Sequence, residues 1–210
     1  MAPETSQTLD RGLRALEMLA AAPAGMSISA LAADVGVNRT VAYRLVTTLE
    51  QHGLIRRDGS GHLQVGLGIL PLARGVQPLL RELALPVLRA LAEELGTTAH
   101  LTVTDGAEAL AVAVVEPSWT DFHVAYRVGA RHPLERGAAG RAILLGRAGG
   151  ADWVESVGEL QAGASGLAAP ILGVDGLQAS VGIVTLGQLD AGAMGARVVA
   201  AAAQVAARLS

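Results

Sequence analysis

Apolar residues over the first half of the chain recur every three or four positions, the period of a helix with one buried face. Leu9, Leu13, Leu16 and Ala20 give a first stripe, with Thr8 placed to cap it, Asp10 in its first turn and residues 23–25 to end it. Ile28, Leu31, Ala32 and Val35 give a second, opened by Ser27, whose hydroxyl suits an N-cap. Gly36 then stands where a left-handed residue closes a helix, Val37 plugs the corner, and Asn38 caps a third helix two residues later. That helix, over residues 39–52, is predicted to bury Val41, Leu45, Val46 and Leu49 and to expose Arg39, Thr40, Tyr43, Arg44 and Thr47. Two helices joined so tightly must cross steeply.

Beyond Gly53 the pattern changes. Leu54 and Ile55 lead into Arg56, Arg57, a turn-forming stretch over 58–61, and then His62, Leu63, Gln64 and Val65, which together predict a hairpin. Residues 66–75 hold Leu67, Ile69, Leu70 and Leu72 around Pro71, after which Val76, Leu79, Leu83, Val87, Leu91 and Leu95 resume a helical stripe. Pro78 and Pro86 each remove a backbone donor, so the expectation is a connecting helix, a break, and the first helix of a second domain ending at Gly96. The exposed part of this connector could pair with its counterpart in a dimer, although an ordinary core stripe accounts equally well for its apolar residues.

From Thr97 the period becomes extended. Residues 97–104 and 109–116 predict a hairpin through Asp105 and Gly106, residues 122–128 a further strand, and residues 167–172 and 179–186 a second hairpin through Val174, Asp175 and Gly176. Between them the small residues 137–140 open a helix continuing through 141–145, whose free N–H groups could hold an anion or a ligand carbonyl, or could simply allow close backbone packing. An Ala-rich helix over about 190–208 closes the chain. The predicted fold class is α+β. Residues 1–75 form a winged helix-turn-helix domain with the start of a linker helix, and residues 76–210 a second domain with an antiparallel sheet flanked by helices.

Composition changes this picture little. Half of the residues are apolar (51%), which excludes a disordered chain, and the absence of Cys excludes disulfides, thiol catalysis and thiolate metal sites. No apolar run is long enough to span a bilayer, and residues 1–7 lack the basic and apolar parts of a signal peptide, so a cytoplasmic location without membrane contact is expected. The net charge of −3 argues at first against a nucleic-acid partner, but it is unevenly spread. Residues 1–75 hold seven Arg and six acidic residues, and residues 76–210 nine and thirteen. So weak a cationic footprint implies modest non-specific affinity, and specific binding would need two copies of the reading head.

The polar, cationic outer face at the N-terminal half of the third helix is what entry into a major groove requires, and the wing's Arg56, Arg57 and His62 could reach phosphate or the minor groove. With the cap residues Ser27 and Asn38, Arg39, Thr40, Tyr43, Arg44, Thr47, Arg56, Arg57 and His62 form the candidate DNA-contacting set. Arg11 and Arg14 are read as solvated. The rival readings are a winged-helix protein-interaction module, or a sensor that no longer reads DNA. Catalysis is disfavoured: there is no Gly-x-Ser-x-Gly elbow and no His pair at metal-ligand spacing, so no catalytic residue, metal or cofactor is expected. His100, His123 and His132 with Asp105, Asp121 and Glu135 could meet in space, but scattered His residues on strands and loops are usually structural.

Taken in order, RGLRALEMLA, LAADVGVNRTVAYRLVTTLEQHGLI and LQVGLGILPLARG, followed by VGARHPLERGAAGRAILLG and GLAAPILGVDG, resemble the IclR-type transcriptional regulators over nearly the whole chain. The resemblance implies a GAF-like α/β-sandwich as the C-terminal domain and a homodimer or tetramer on double-stranded operator DNA. It further implies a small-molecule effector and, by analogy, repression. The implied effector positions are Leu101, Ala138, Ala139, Gly140, Gly166, Gly182 and Val184. Two departures stand out. The span between the helix at 142–145 and the strand at 168–171 is tens of residues shorter than in the family, and Gly166, Gly182 and Val184 stand where carboxylate-binding members carry polar side chains. These imply an apolar or aromatic ligand in place of a carboxylate, or a pocket that has lost ligand binding.

Overall fold

The computed structural model describes residues 5–120 and 126–210, apart from the side chain of Arg74. The fold is mixed α+β and forms two compact units, one ending at Val76 and one beginning at Gln77.

In the first unit, helices α1 (Gln7–Ala20), α2 (Ile28–Val35) and α3 (Arg39–Gln51) precede a hairpin of β1 (Ile55–Arg57) and β2 (Leu63–Val65). Ser27 and Asn38 cap α2 and α3 through the Ala30 and Val41 N–H groups, and Gly36 between them is left-handed (φ 73°). Four residues of α2 are buried, Ile28, Leu31, Ala32 and Val35, against Ala15 and Leu19 of α1, Ala42 and Val46 of α3, and Ile55 and Leu63 of the hairpin. Two expected stripes are rotated. On α1 the buried residues are Gly12, Ala15 and Leu19, while Leu9 and Leu13 are 62% and 51% exposed. On α3 Ala42 is buried in place of Val41, which with Leu49 is half-buried. In both helices a small residue, Ala15 or Ala42, lies on the buried face, which a stripe of large side chains conceals. Thr8 lies inside α1 and caps nothing, since the N-cap position is Ser6 and its side chain makes no capping bond.

At the root of the hairpin the chain crosses itself with no room for side chains. Gly66 donates to the Leu54 carbonyl at 2.7 Å and Gly68 to the Gly53 carbonyl at 2.8 Å. A Cβ on Gly66 would stand 2.1 Å from the Gly53 oxygen, a backbone atom that cannot swing aside. Helix α4 (Ile69–Arg74) follows.

Helix α5 (Val76–Leu95) runs unbroken through Pro78 and Pro86, so the expected interruption falls before it, at Gly75, and not at Pro86. Pro78 occupies the first turn, where no intrahelical donor is needed. The second unit then folds around a six-stranded antiparallel sheet in the order β5-β4-β3-β8-β7-β6. Its strands are β3 (Thr98–Asp105), β4 (Glu108–Val115), β5 (Arg131–Pro133), β6 (Val154–Val157), β7 (Ala164–Ile171) and β8 (Ala179–Leu186). Side chains of one sheet face, among them Leu101, Val103, Leu167, Val181 and Ile183, form one core with Leu88 and Leu91 of α5 and Val198 and Val205 of α7 (Ala191–Leu209). The opposite face receives α6 (Gly137–Arg147), whose Ala138, Ala139 and Ala142 pack on Ala168. Of the strand expected at 122–128, residues 122–125 lie outside the described residues and 126–128 belong to no strand; the edge strand is β5. Among the described residues no helix is long and apolar enough to cross a membrane.

The glycine crossing yields a paired prediction. Gly66→Ala should destabilise the first unit by about 1–3 kcal/mol, the usual range for forced overpacking, whereas Gly59→Ala, whose Cβ meets nothing within 4 Å, should be nearly neutral. Amide hydrogen exchange of α2 and α3 reads both.

Candidate nucleic-acid interface and ligand pocket

The outer face of α3 is built by what its other face buries. With Ala42, Leu45 and Val46 turned inward, Arg39, Thr40, Tyr43, Arg44 and Thr47 are all exposed. The Arg39 guanidinium lies 5.8 Å from the centre of the Tyr43 ring, a cation–π contact that orients both side chains. Ser27 and Asn38 spend their side-chain oxygens on caps, so they position the two helices, and their remaining capacity faces solvent.

In the wing the three candidate side chains differ. Arg57 is tied to Glu50 of α3 by a 2.9 Å ion pair, a strut between wing and helix, whereas Arg56 is exposed and has no ion-pair partner among the described residues. The turn is organised by Asp58, whose carboxylate accepts from Ser60 Oγ (2.7 Å), Ser60 N (2.9 Å) and His62 N (2.9 Å). These bonds, that of the Ser60 hydroxyl first, hold the Asp58 carboxyl below its ordinary pKa. Because the Ser60 proton goes to Asp58, the His62 Nδ1 donates to Ser60 Oγ at 2.7 Å and Nε2 is left for an external partner.

The second unit holds a cavity of about 80 Å³ between the α6 side of the sheet and the β6–β7 connection. Sheet register explains its lining. His100, Gly182 and Ala168 are neighbours across three strands, and so are Val184, Gly166 and Ser156. Gly182 exists to make room for the His100 ring, since a Cβ there would stand 2.5 Å from His100 Cε1. Of the seven expected positions, Ala138, Ala139, Gly166 and Val184 line the cavity. Leu101, Gly140 and Gly182 do not. Leu101 points to the other sheet face by the period of two, Gly140 lies against the Leu134 backbone, and the His100 ring covers Gly182.

Three polar rings that the sequence left scattered come to this cavity: His100, Tyr126 and His132. His123 and Asp121 lie outside the described residues, and Asp105 is engaged with Arg131, as is Glu108 at 3.2 Å. His100 is buried, with Nδ1 3.1 Å from Thr102 Oγ1 and its ring 4.9 Å from that of Tyr126. Burial pushes its imidazole down to about 3, and neighbouring His132 adds to the shift. Burial also pushes the Tyr126 phenol up; Thr102 nearby partly offsets this, although no hydrogen bond of normal geometry joins the two. Among the described residues, the Tyr126 hydroxyl and His132 Nε2 are buried without hydrogen-bond partners. Sequence reasoning had no signal for this convergence, because the three rings come from β3, β5 and a loop.

Residues 8–59 match the IclR helix-turn-helix domain, and residues 77–151 match the C-terminal domain of the bacterial transcriptional regulator IclR. The chain is 31% identical over 149 residues to the acetate operon repressor of Salmonella typhimurium, covering 68% of this chain and 54% of that one. It therefore spans about half the length of the curated relatives it matches, 54% in two of them. Among solved structures, an IclR-family regulator from Rhodococcus aligns with a TM-score of 0.61 at 22% identity over 100% of both chains. An IclR homolog from Microbacterium hydrocarbonoxydans, complexed with 4-hydroxybenzoate, aligns with a TM-score of 0.55 at 20% identity over 96% of this chain and 98% of that one.

The buried neutral imidazole makes stability depend on pH. Unfolded, His100 takes up a proton near its ordinary value of 6.5; folded, it does so only near 3. Between these values the unfolded state binds the extra proton, so stability of the second unit is complete above about 6.5 and falls as pH drops, by up to about 1.4 kcal/mol per pH unit. Both Trp residues, Trp119 and Trp153, belong to this unit. Urea unfolding followed by their fluorescence between pH 6.5 and 5 should show that slope in the parent and a shallower one in His100→Gln.

Proposed function

The chain belongs to the IclR family of bacterial transcriptional regulators, and from this premise we propose that it is a sequence-specific DNA-binding repressor. The single observation that carries this reading is the α3 surface. Five exposed side chains, Arg39, Thr40, Tyr43, Arg44 and Thr47, stand on a helix whose start is capped by Asn38 and whose back is packed on α2. A helix so held can enter a major groove with fixed register, and Arg56 and His62 of the wing can meet the adjoining backbone.

The working form is a homodimer or tetramer on double-stranded DNA. Leu9 and Leu13 of α1, with Leu67, Leu70 and Leu72 after the wing, are all more than half exposed, an apolar surface that a second copy would cover. Two heads also compensate for the weak positive charge of one. The pocket of the second unit receives a small-molecule effector, as the 4-hydroxybenzoate complex suggests of that relative. The effector acts by binding one arrangement of the assembly better than another. The protein works in the cytoplasm and without catalytic chemistry.

The test is a salt titration of binding to the DNA upstream of the chain's own coding region, against scrambled DNA of equal length. Preference for the natural sequence is expected, and equal, steeply salt-dependent binding to both would reduce the reading to a generic basic surface. Arg44→Ala should weaken operator binding by about 1–3 kcal/mol if Arg44 reads a base, the loss then falling at one base position. A loss common to every sequence, with a shallower salt dependence, would assign Arg44 to a phosphate. Unchanged binding would remove Arg44 from the interface.

A further inference from the structure

The first N–H groups of a helix attract an anion, and in this pocket the chain supplies that anion itself. Glu159, in the connection between β6 and β7, accepts from the Gly137 N–H at 2.8 Å through one carboxylate oxygen and from Arg141 Nη1 at 2.6 Å through the other. The next N–H, of Ala138, donates to Ser156 Oγ at 2.9 Å. Arg136 grips the Glu159 carbonyl, and Leu160 lies so close over Gly137 that a Cβ there would stand 2.6 Å from its Cδ1. The anion-binding end of the cavity is therefore filled from within.

What remains beneath this strap is only partly satisfied. His132 is 7% exposed, and its Nδ1 lies 3.1 Å from the Pro133 carbonyl, which can only accept. In the neutral imidazole the proton is thus on Nδ1, which makes Nε2, without a hydrogen-bond partner among the described residues, an acceptor. The unpartnered Tyr126 hydroxyl offers a donor. The walls around it combine apolar Ala138, Val184 and Leu160 with the uncharged polar Ser156, Gln161 and Ser165. An anion entering here would meet the Glu159 carboxylate, which already takes the Gly137 N–H and Arg141, at a cost that low-dielectric surroundings raise.

We propose that Glu159 is a built-in occupant of the pocket's anion site, and that the ligand admitted beside it is small, uncharged and equipped with both a hydrogen-bond donor and an acceptor. A primary carboxamide is the simplest such group, its NH₂ meeting His132 Nε2 and its carbonyl the Tyr126 hydroxyl. The cavity of about 80 Å³ is smaller than the roughly 150 Å³ that holds a benzene ring, so a ligand of about four heavy atoms fits. The inference rests on the pocket being a ligand site.

Acetamide and acetate are the probes, equal in size and different in charge. Both are titrated into the full chain, without DNA, while the His132 Cε1–H resonance is followed by NMR. Saturable shifts with acetamide and none with acetate are expected in the parent. In Glu159→Ala, acetate binding should tighten by roughly tenfold or more as the anion site opens. The comparison in the parent stands even if that variant fails to fold. Acetate binding the parent as tightly as acetamide would overturn the assignment of ligand class while leaving a ligand site. No response to either probe in either protein would overturn the ligand site with it. Operator binding by the same preparation would separately show whether the DNA-reading proposal stands.

Discussion

Every helix in this chain must find acceptors for the N–H groups of its first turn, and how each does so organises both units. In α2, α3 and α7 the acceptor is three residues from its donor: Ser27 for Ala30, Asn38 for Val41, Asp190 for Ala193. Each such cap contributes about 1 kcal/mol, and the first two fix the tight turn that sets α3 at its angle to α2. In α6 the acceptors come from 18 and 22 residues away, Ser156 and Glu159. A local cap makes a rigid scaffold. A distant one makes a contact between segments, which is the kind that can be remade.

The same distinction decides what could be read from the residues alone. Ser27, Gly36 and Asn38 announce themselves because cap, turn and helix lie within one short window, and the exposed face of α3 follows once its back is placed. The sheet hairpins are similarly local: Asp105 and Gly106 mark one turn, Val174 to Gly176 the other. The pocket is different. His100, Tyr126 and His132 share no window, and their meeting depends on the strand order β5-β4-β3-β8 and on the ring space that Gly182 leaves. Leu101 was assigned to the pocket through family resemblance, yet its parity along β3 sends it to the opposite core, where it is fully buried.

Where helical periodicity misplaced a face, small residues were the cause. A stripe of Leu9, Leu13, Leu16 and Ala20 looks like the buried side of α1, but Ala15 and Leu19 pack into the core on the adjacent face. The choice leaves Leu9 and Leu13 in solvent, costly for a monomer at about 25 cal/mol per Å² of apolar surface kept in water. Hydrophobic pattern alone cannot tell a core stripe from one awaiting another copy. Proline reading erred in the other direction: Pro86 sits within α5, where the long apolar face of Leu80, Ala84, Val87, Leu88 and Leu91 holds the helix together through the missing bond.

The strap over the pocket is held by few bonds, and their strength bounds what could move it. The Glu159–Arg141 pair is open to solvent, with side chains 31% and 42% exposed, so it contributes roughly 0–1 kcal/mol. The bond from Gly137 is a helix cap of about 1 kcal/mol, and Leu160, 47% exposed, buries only part of its surface. Each tie of the strap to α6 is thus individually weak. The core beneath is unlike it. Ala138, Ala139 and Ala142 pack on Ala168, and the Ser180 hydroxyl is bonded to the Ala139 carbonyl at 3.0 Å in a fully buried setting. The covering of the pocket therefore rests on solvent-exposed ties of the β6–β7 connection, while α6 itself is held on the sheet by buried contacts.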